Sequence, residues 1–257
     1  MYPHPVFLGM NLYDLLTAFG LLAALIVFRY YLEAREMPRK YQLIFLGIAI
    51  PAVCIGYLAA ALFQAFYDYL ATGVFAFGAI TFMGGLIGGA VFYLLCTWFI
   101  GKIAFTKEKQ KEFFGMFLHI VDVAPCCIAI AHAFGRLGCL FGGCCYGKET
   151  HAWYGVSTPF ETHKVVPLQL FEALFLFGLF AFLTYLFFKK KKLLPMPVYL
   201  IGYGIWRFVI EFFRSDERGA TIISAFTPSQ LTSLLSVLLG VVLLYRYFFI
   251  KKQKDFN

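Results

Sequence analysis

The sequence predicts an all-α integral membrane protein with about seven transmembrane helices. Hydrophobic residues make up 61% of its 257 residues, charged residues only 14%, and the mean hydropathy is +0.77. A soluble domain carries about 25% charged residues because its surface must face water. Most of this chain is therefore expected to lie in lipid, and we predict one transmembrane helical domain over residues 1–257.

Seven apolar runs are each long enough to cross a bilayer, which takes about 20 residues in a helix. Short polar or basic segments separate these runs. Pro167 suits the first turn of the fifth helix, and Thr227 suits the N-terminal cap of the seventh. The predicted spans are about Leu8–Tyr31, Tyr41–Phe66, Met83–Phe105, Phe113–Phe134, Pro167–Phe188, Met196–Phe213 and Thr227–Ile250.

The basic residues predict how the chain crosses the membrane. Sixteen of the 22 Lys and Arg residues cluster at the ends of the first, third, fifth and seventh runs. Cytoplasmic loops of membrane proteins are enriched in Lys and Arg. The N-terminus is therefore expected outside the cell and the C-terminus in the cytoplasm. These clusters also account for the net charge of +8, so no nucleic-acid partner is predicted.

The segment from His132 to Lys148 ends the fourth apolar run and carries glycines, one arginine and three thiols. Glycine can adopt positive φ and lets the backbone approach a ligand closely. An arginine at membrane depth is costly unless it has an anionic partner. We therefore predict a non-helical, Gly- and Cys-rich loop at the outer membrane face. In this loop Arg136 and the open backbone at Gly138 and Gly143 would bind an anion.

The sixth helix carries four polar residues on one face. Tyr203, Arg207, Glu211 and Arg214 are spaced four, four and three apart, as residues on one helical face are. One interpretation is an internal ion pair of Arg207 with Glu211 that fixes helix packing. The favoured interpretation is a polar stripe in which both arginines hold an anionic headgroup and Glu211 orients one of them. A guanidinium can bind two phosphate oxygens at once.

Two further segments have both a packing and a functional interpretation. Glu172 is either an ordinary acidic residue near the N-terminus of the fifth helix or a partner for Arg136 or Arg207. Gly84 and Gly85 each lie four residues before another glycine, which favours close helix packing. The alternative is that their backbone amides are open to a lipid headgroup.

The thiols of the central segment leave several chemistries open. Cys139, Cys144 and Cys145 could form a disulfide on the outer face, supply a nucleophilic thiol near Arg136, or only pack. A zinc site with His132 is disfavoured, because two adjacent cysteines do not easily ligate one tetrahedral ion. No metal site and no cofactor are predicted.

Several motifs resemble those of the bacterial prolipoprotein diacylglyceryl transferase family and occur along the chain in the same order as in that family. They are Phe82–Leu86, Gly135–Gly138 with the Gly-rich turn after it, Pro167–Glu172, Gly202–Arg214 and Thr227–Gln230. The resemblance extends over roughly Tyr13–Ser233. The chain departs from the usual family pattern at Cys139, where the family has Asn, at Cys144, where it has an acidic residue, and at Met83, where it has His.

The resemblance implies a seven-helix protein of the bacterial cytoplasmic membrane with its active site facing the outer leaflet. The implied reaction transfers a diacylglyceryl group from phosphatidylglycerol to the lipobox cysteine of a preprolipoprotein and releases glycerol phosphate. The phosphatidylglycerol-binding arginines of the family would correspond to Arg136 and Arg207. These two cations, with Arg214, would stabilise the negative charge that develops on the leaving phosphate.

The acceptor thiol must lose its proton during such a transfer. His132, Tyr203 and Glu172 are the candidates to accept it. A more specific hypothesis makes Cys139 or Cys144 a covalent intermediate carrier, because thiols stand where the family has polar residues.

Two other functions stay open from the sequence. One is a transferase that uses the same lipid-phosphate pocket with a different acceptor. The other is a non-catalytic membrane protein that binds lipid or senses redox state through its thiols. The expected partners in the favoured case are phosphatidylglycerol, a lipobox-containing preprolipoprotein and the surrounding membrane lipids.

Overall fold

The computed structural model describes residues 4–7, 9–77, 81–189, 194–215 and 226–256. Of these, residues 71, 82, 83 and 250–256 are described by their backbone alone. This part of the chain contains seven helices that are long and apolar enough to cross a membrane. The all-α polytopic membrane fold is therefore confirmed. The helices are α1 Leu12–Ala34, α2 Arg39–Thr72, α3 Phe82–Ile103, α4 Lys107–Gly142, α5 Leu168–Phe188, α6 Pro195–Ile210 and α7 Pro228–Phe256.

Three short elements, one 3₁₀ turn and two strands, complete the secondary structure of the described residues. A single 3₁₀ turn, Glu211–Phe213, follows α6 directly. Strands β1 (Val156–Ser157) and β2 (Lys164–Val165) form an antiparallel pair between α4 and α5. The orientation of the chain in the membrane stays a prediction, and three of its basic residues, at positions 190–192, lie outside the described residues.

The helix α2 is longer than the sequence predicted. The predicted end was Phe66, but the helix continues to Thr72. Gly73 then adopts a left-handed backbone with φ of 74°, and its N–H donates to the carbonyl of Tyr69 at 2.8 Å. Glycine is the usual residue at this position because it has no Cβ to clash. The helix therefore ends at its capping residue rather than where its apolar run ends.

The end of α4 is the main correction to the predicted fold. The segment after Phe134 was expected to be a loop, but it stays helical to Gly142. Its glycines bring helices together: a Cβ atom at Gly138 would lie 3.1 Å from the ring of Tyr13 on α1. On the other side of the contact, a Cβ atom at Gly20 would lie 2.7 Å from the Cβ of Phe134. The loop begins only at Gly143, whose φ is +75°.

The chain forms two compact units, to which α1 and α4 each contribute a part. One consists of Met1–Phe28 and Ile120–Asn257, and the other of Arg29–His119. In the first unit α6 packs closely on α7, where a Cβ atom at Gly204 would lie 2.8 Å from Val237. All the residues of the candidate site described below, apart from Gly84 and Gly85, belong to this unit.

In the second unit, α2 and α3 pack through small residues. A Cβ atom at Gly88 would overlap the Cβ of Ala59, and one at Gly84 would lie 2.7 Å from the Cβ of Phe63. One at Gly85 would lie 3.2 Å from the carbonyl oxygen of Gly56. Close approach of two backbones is the usual role of such glycines in membrane helices. The packing interpretation is confirmed, and a contact of Gly84 and Gly85 with a headgroup stays a prediction.

The close contact at Gly88 gives a stability prediction. Gly88→Ala should lower the free energy of unfolding by about 1–3 kcal/mol, because Ala59 is fixed on its helix and cannot move aside. Gly47→Ala on α2 is the matched control, since apart from the surrounding backbone of α2 itself no atom of the described residues lies within 4 Å of the Cβ position there. The control should be neutral or slightly stabilising. Thermal unfolding in detergent, followed by circular dichroism, measures both, and equal melting temperatures would contradict the packing.

Candidate active site

The centre of the candidate site is a buried carboxylate on α5. The side chain of Glu172 is 1% exposed. One of its oxygens, Oε2, lies 2.9 Å from Nε of Arg136 on α4. The other, Oε1, accepts a hydrogen bond from the hydroxyl of Tyr203 on α6 at 2.9 Å. Glu172 therefore connects three helices, and the predicted pairing of this residue with Arg136 is confirmed.

His132 lies one turn before Arg136 and belongs to the same cluster. Its Nε2 accepts a hydrogen bond from Nε of Arg136 at 3.3 Å and lies 4.0 Å from Oε1 of Glu172. Its ring meets that of Tyr203 edge to face, with centroids 5.1 Å apart. An accepting Nε2 carries a lone pair, so the imidazole is neutral in this arrangement. The three predicted proton acceptors thus lie together, while their role in proton transfer stays a prediction.

Arg207 has its own carboxylate partner. Its Nη2 lies 2.8 Å from Oε2 of Glu211 and donates to the hydroxyl of Ser229 at 3.0 Å. The other oxygen of Glu211 accepts from the hydroxyl of Thr227 at 2.9 Å. The side chain of Arg207 is only 9% exposed. Among the described residues, its Nη1 is buried without a hydrogen-bond partner. A buried donor left unpaired costs free energy, so a ligand oxygen at this nitrogen would be stabilising.

The terminal nitrogens of Arg136 are also available. Both contacts that this side chain makes with described residues use Nε, one with His132 and one with Glu172. Arg207 interacts electrostatically with both Glu172 and Arg136. The two arginines therefore share one electrostatic environment, and each keeps at least one nitrogen for a further oxygen. The ion pair of Arg207 with Glu211, which the sequence predicted, is present.

Arg214 is not on the polar stripe where the sequence placed it. The helix ends at Ile210, and the 3₁₀ turn that follows has about three residues per turn instead of 3.6. Arg214 itself is extended and pairs with the backbone of Gly147 in an antiparallel bridge. Its charge instead acts on Cys145. Arg214 thus lies beyond the end of α6 and acts on the thiol segment, while its contact with a lipid headgroup stays a prediction.

Three thiols gather where α4 ends. The sulfur atoms of Cys139, Cys144 and Cys145 all lie within 4.8 Å of one another. The backbone N–H of Cys144 donates to the carbonyl of Cys139 at 3.2 Å. Cys145 adopts a left-handed backbone with φ of +62°, which is uncommon for a residue with a side chain. All three cysteines are free thiols.

Two of these thiols lie outside the helices and have shifted acidities. Hydrogen bonds from the thiols of Cys139 and Cys144 lower the pKa of Cys145 far below its ordinary value. A hydrogen bond from Cys139 also lowers the pKa of Cys144, but its hydrogen bond with Cys145 and its burial outweigh this effect and raise the pKa to about 11.

Side chains from other segments, which the sequence did not indicate, fix this thiol segment. The amide of Gln169 on α5 donates to the carbonyl of Cys144. The hydroxyl of Thr158 donates to the carbonyl of Gly143 at 3.4 Å. Ser229, which binds Arg207, was missed as well. Gln169 lies in the motif Pro167–Glu172, and Ser229 lies in the motif Thr227–Gln230. Their place in these motifs was the only sign in the sequence that they belong to the site.

Comparisons with known proteins agree with one another. A family model described as prolipoprotein diacylglyceryl transferase matches residues 5–246. The phosphatidylglycerol–prolipoprotein diacylglyceryl transferase 2 of Clostridium perfringens is 35% identical over 178 residues, which span 67% of this chain and 63% of that protein. The phosphatidylglycerol–prolipoprotein diacylglyceryl transferase of Clostridium tetani is 32% identical over 250 residues, 89% of this chain and 90% of that protein.

The ion pair at the centre of the site gives a second prediction. Glu172→Gln leaves the cation of Arg136 buried without a counter-charge, which should lower the free energy of unfolding by about 3–5 kcal/mol. The double variant Arg136→Met/Glu172→Gln removes both charges and should recover much of the loss. Glu161→Gln is the control, because this exposed carboxylate accepts a hydrogen bond from the hydroxyl of Tyr146 and is not buried beside a cation of the described residues. Chemical unfolding in detergent measures the four proteins; unchanged stability of Glu172→Gln would show that the pair is not formed.

Proposed function

The chain belongs to the prolipoprotein diacylglyceryl transferase family, and we propose that it transfers a diacylglyceryl group from phosphatidylglycerol to the cysteine thiol of a lipobox preprolipoprotein, with release of glycerol phosphate. The names of both relatives contain this donor and this acceptor. With seven potential membrane spans and bacterial relatives, the chain is a multi-pass bacterial membrane protein. The proposed location is the cytoplasmic membrane, with the reaction at the outer leaflet and a role in lipoprotein biosynthesis.

The observation that carries this proposal is the buried Nη1 of Arg207, which has no hydrogen-bond partner among the described residues. The phosphodiester of phosphatidylglycerol offers an anionic oxygen to such a donor, and guanidinium–phosphate bonds are among the stronger hydrogen bonds in proteins. Glu211 and Ser229 hold Nη2 of the same side chain. The guanidinium is thus oriented in advance and loses little conformational entropy when a phosphate binds.

Arg136 supplies the second cation of the proposed site. Glu172 holds it through Nε, and Tyr203 in turn holds Glu172. The ion pair thus orients the guanidinium of Arg136 through Nε and leaves its terminal nitrogens for other hydrogen bonds. As the bond between glycerol carbon and phosphate oxygen breaks, negative charge grows on the phosphate. Two fixed guanidinium groups stabilise this charge more than that of the starting ester.

We assign the proton transfer to His132. Tyr203 already donates to Glu172, and Glu172 is ion-paired with Arg136, so neither is a free base. The neutral imidazole of His132 can accept the proton of the acceptor thiol at Nε2. The imidazolium that forms would lie 4.0 Å from Oε1 of Glu172, which stabilises its charge. Arg136 is released from its bond to His132 in the same step and remains bound to Glu172.

The test is mass spectrometry of a lipobox peptide incubated with the purified protein and phosphatidylglycerol. The peptide should gain one diacylglyceryl group on its cysteine. Arg207→Lys should lower the rate about 100-fold, because one ammonium cannot hold Glu211, Ser229 and a phosphate in the fixed planar geometry of a guanidinium. Arg29→Lys is the matched control, since that arginine is 64% exposed and pairs with Glu33 on its own helix.

Other results of this experiment would overturn the proposal in recognisable ways. Consumption of phosphatidylglycerol with an unmodified peptide would indicate a transferase with another acceptor. Binding of the lipid without any consumption would indicate a non-catalytic lipid-binding protein. Equal loss of rate in Arg207→Lys and Arg29→Lys would show that Arg207 has no special contact with the donor phosphate.

A further inference from the structure

The three thiols at the end of α4 are not used by the reaction as proposed so far. The sequence spacing disfavoured a metal there, because side chains of adjacent residues normally diverge. The structure removes this objection. Cys145 has a left-handed backbone, and its sulfur comes within 4.8 Å of those of both Cys144 and Cys139. A tetrahedral zinc site with Zn–S distances of about 2.3 Å has its sulfurs about 3.8 Å apart. Shifts of about 1 Å or less would therefore bring the three sulfurs to ligating positions.

We propose that Cys139, Cys144 and Cys145 bind a Zn²⁺ ion as three thiolates and leave its fourth coordination position open. No fourth His, Cys, Asp or Glu ligand joins this group within the part of the chain that the structure describes. Three protein ligands and one exchangeable position are the arrangement of catalytic zinc sites, whereas structural sites are closed by four. Cys144 is exposed and the other two thiols are half-buried, so the open position can be reached from outside.

The surroundings have the charge that such a site requires. Three thiolates and one Zn²⁺ carry a net charge of about −1. Arg136 acts electrostatically on Cys139 and Cys145, and Arg214 acts on Cys145. These two cations offset the negative charge of the filled site. The negative charge of the filled site would also explain why Arg214, beyond the end of α6, is buried to 8% exposure beside the thiol segment.

The open position would take the thiol of the acceptor, and this part of the inference rests on the proposed function. The acceptor thiol gives its proton to His132 and binds zinc as a thiolate. Its sulfur then attacks the glycerol carbon of the donor lipid: a C–S bond forms, the C–O bond to phosphate breaks, and the electron pair leaves on the phosphate oxygen. The product is a neutral thioether, a weaker zinc ligand than a thiolate, so it dissociates. Arg136, which acts electrostatically on Cys139 and Cys145, would keep the donor phosphate near the zinc-bound sulfur.

The metal site can be tested without any turnover. The full-length protein is purified in detergent under reducing conditions, stripped with a chelator and titrated with Co²⁺ as a spectroscopic probe for zinc. One equivalent should produce a thiolate-to-cobalt charge-transfer band, which Zn²⁺ abolishes. Cys139→Ser, Cys144→Ser and Cys145→Ser should each weaken Co²⁺ binding at least tenfold. Cys54→Ser, an exposed cysteine on α2, is the matched control and should bind as the native protein does.

A folding defect is separated from loss of metal by the melting temperature. Zn²⁺ should raise the melting temperature of the native protein and of Cys54→Ser, but not that of the triple variant with all three thiols replaced. The absence of a cobalt band in native protein whose Cys139, Cys144 and Cys145 are all reduced, or a band that persists in the triple variant, would overturn the site. A disulfide in place of free thiols, or a stoichiometric Cu⁺ that Zn²⁺ cannot displace, would overturn the assignment to zinc.

The acceptor role has a separate test. The lipobox peptide should shift the cobalt band when it binds, and a peptide with serine in place of its cysteine should not. Zinc-free protein should modify the peptide at least tenfold more slowly than zinc-loaded protein. Equal rates would overturn the acceptor role of the zinc, while the metal site and the proposed function would stand. A cobalt band without peptide modification under any condition would instead overturn the proposed function and the acceptor role, and leave only the metal site.

Discussion

The candidate site depends on one buried carboxylate, Glu172, and on the cost of keeping it charged inside a helical bundle. With 1% of its side chain exposed, it must be compensated by protein groups rather than by water. Arg136 and Tyr203 provide this compensation from two other helices. The same contacts fix where the guanidinium and the phenol lie. Removing a carboxylate that looks purely structural would therefore displace the groups proposed to bind the donor lipid.

The two arginines show how a cation can be buried and still bind a ligand. Each is paired with a carboxylate, which reduces the cost of burial. Each pairing uses only part of the guanidinium: Nε in Arg136, and Nη2 in Arg207. The remaining nitrogens can still donate to a phosphate. The carboxylates thus orient the arginines and leave hydrogen-bonding capacity for an anionic headgroup, which a lysine with one charged nitrogen would not retain.

The thiol segment differs from the arginine cluster in how it is held. The arginines lie on or directly beside long helices, whereas Cys144 and Cys145 lie on a short loop fixed by Gln169 and by residues after α6. A positive φ at Cys145 is maintained by these contacts. The arginine cluster and the thiol segment are thus held in place by different contacts.

Local chemistry was enough to predict much of this protein from its sequence. The membrane fold follows from seven apolar runs, because a helix needs about 20 residues to cross a bilayer. The pairing of Arg207 with Glu211 follows from their spacing of four. A partner for Glu172 at Arg136 or Arg207 was expected because a charge at membrane depth needs one, and the structure shows that the partner is Arg136. Each of these rests on short-range spacing or on the cost of burial, which can be read from residue types alone.

Tertiary packing decided what the sequence left open or placed wrongly. Glycines at the end of α4 looked like a loop, but the segment is helical to Gly142, and Gly138 lets Tyr13 of α1 pack closely against it. Arg214 looked like part of the stripe, but the tighter turn after Ile210 and the pairing with Gly147 move it away. Whether a glycine ends a helix or lets another helix approach depends on a neighbour distant in sequence. The sequence indicates which residues are candidates for the site, and only the folded structure shows which of them are in contact.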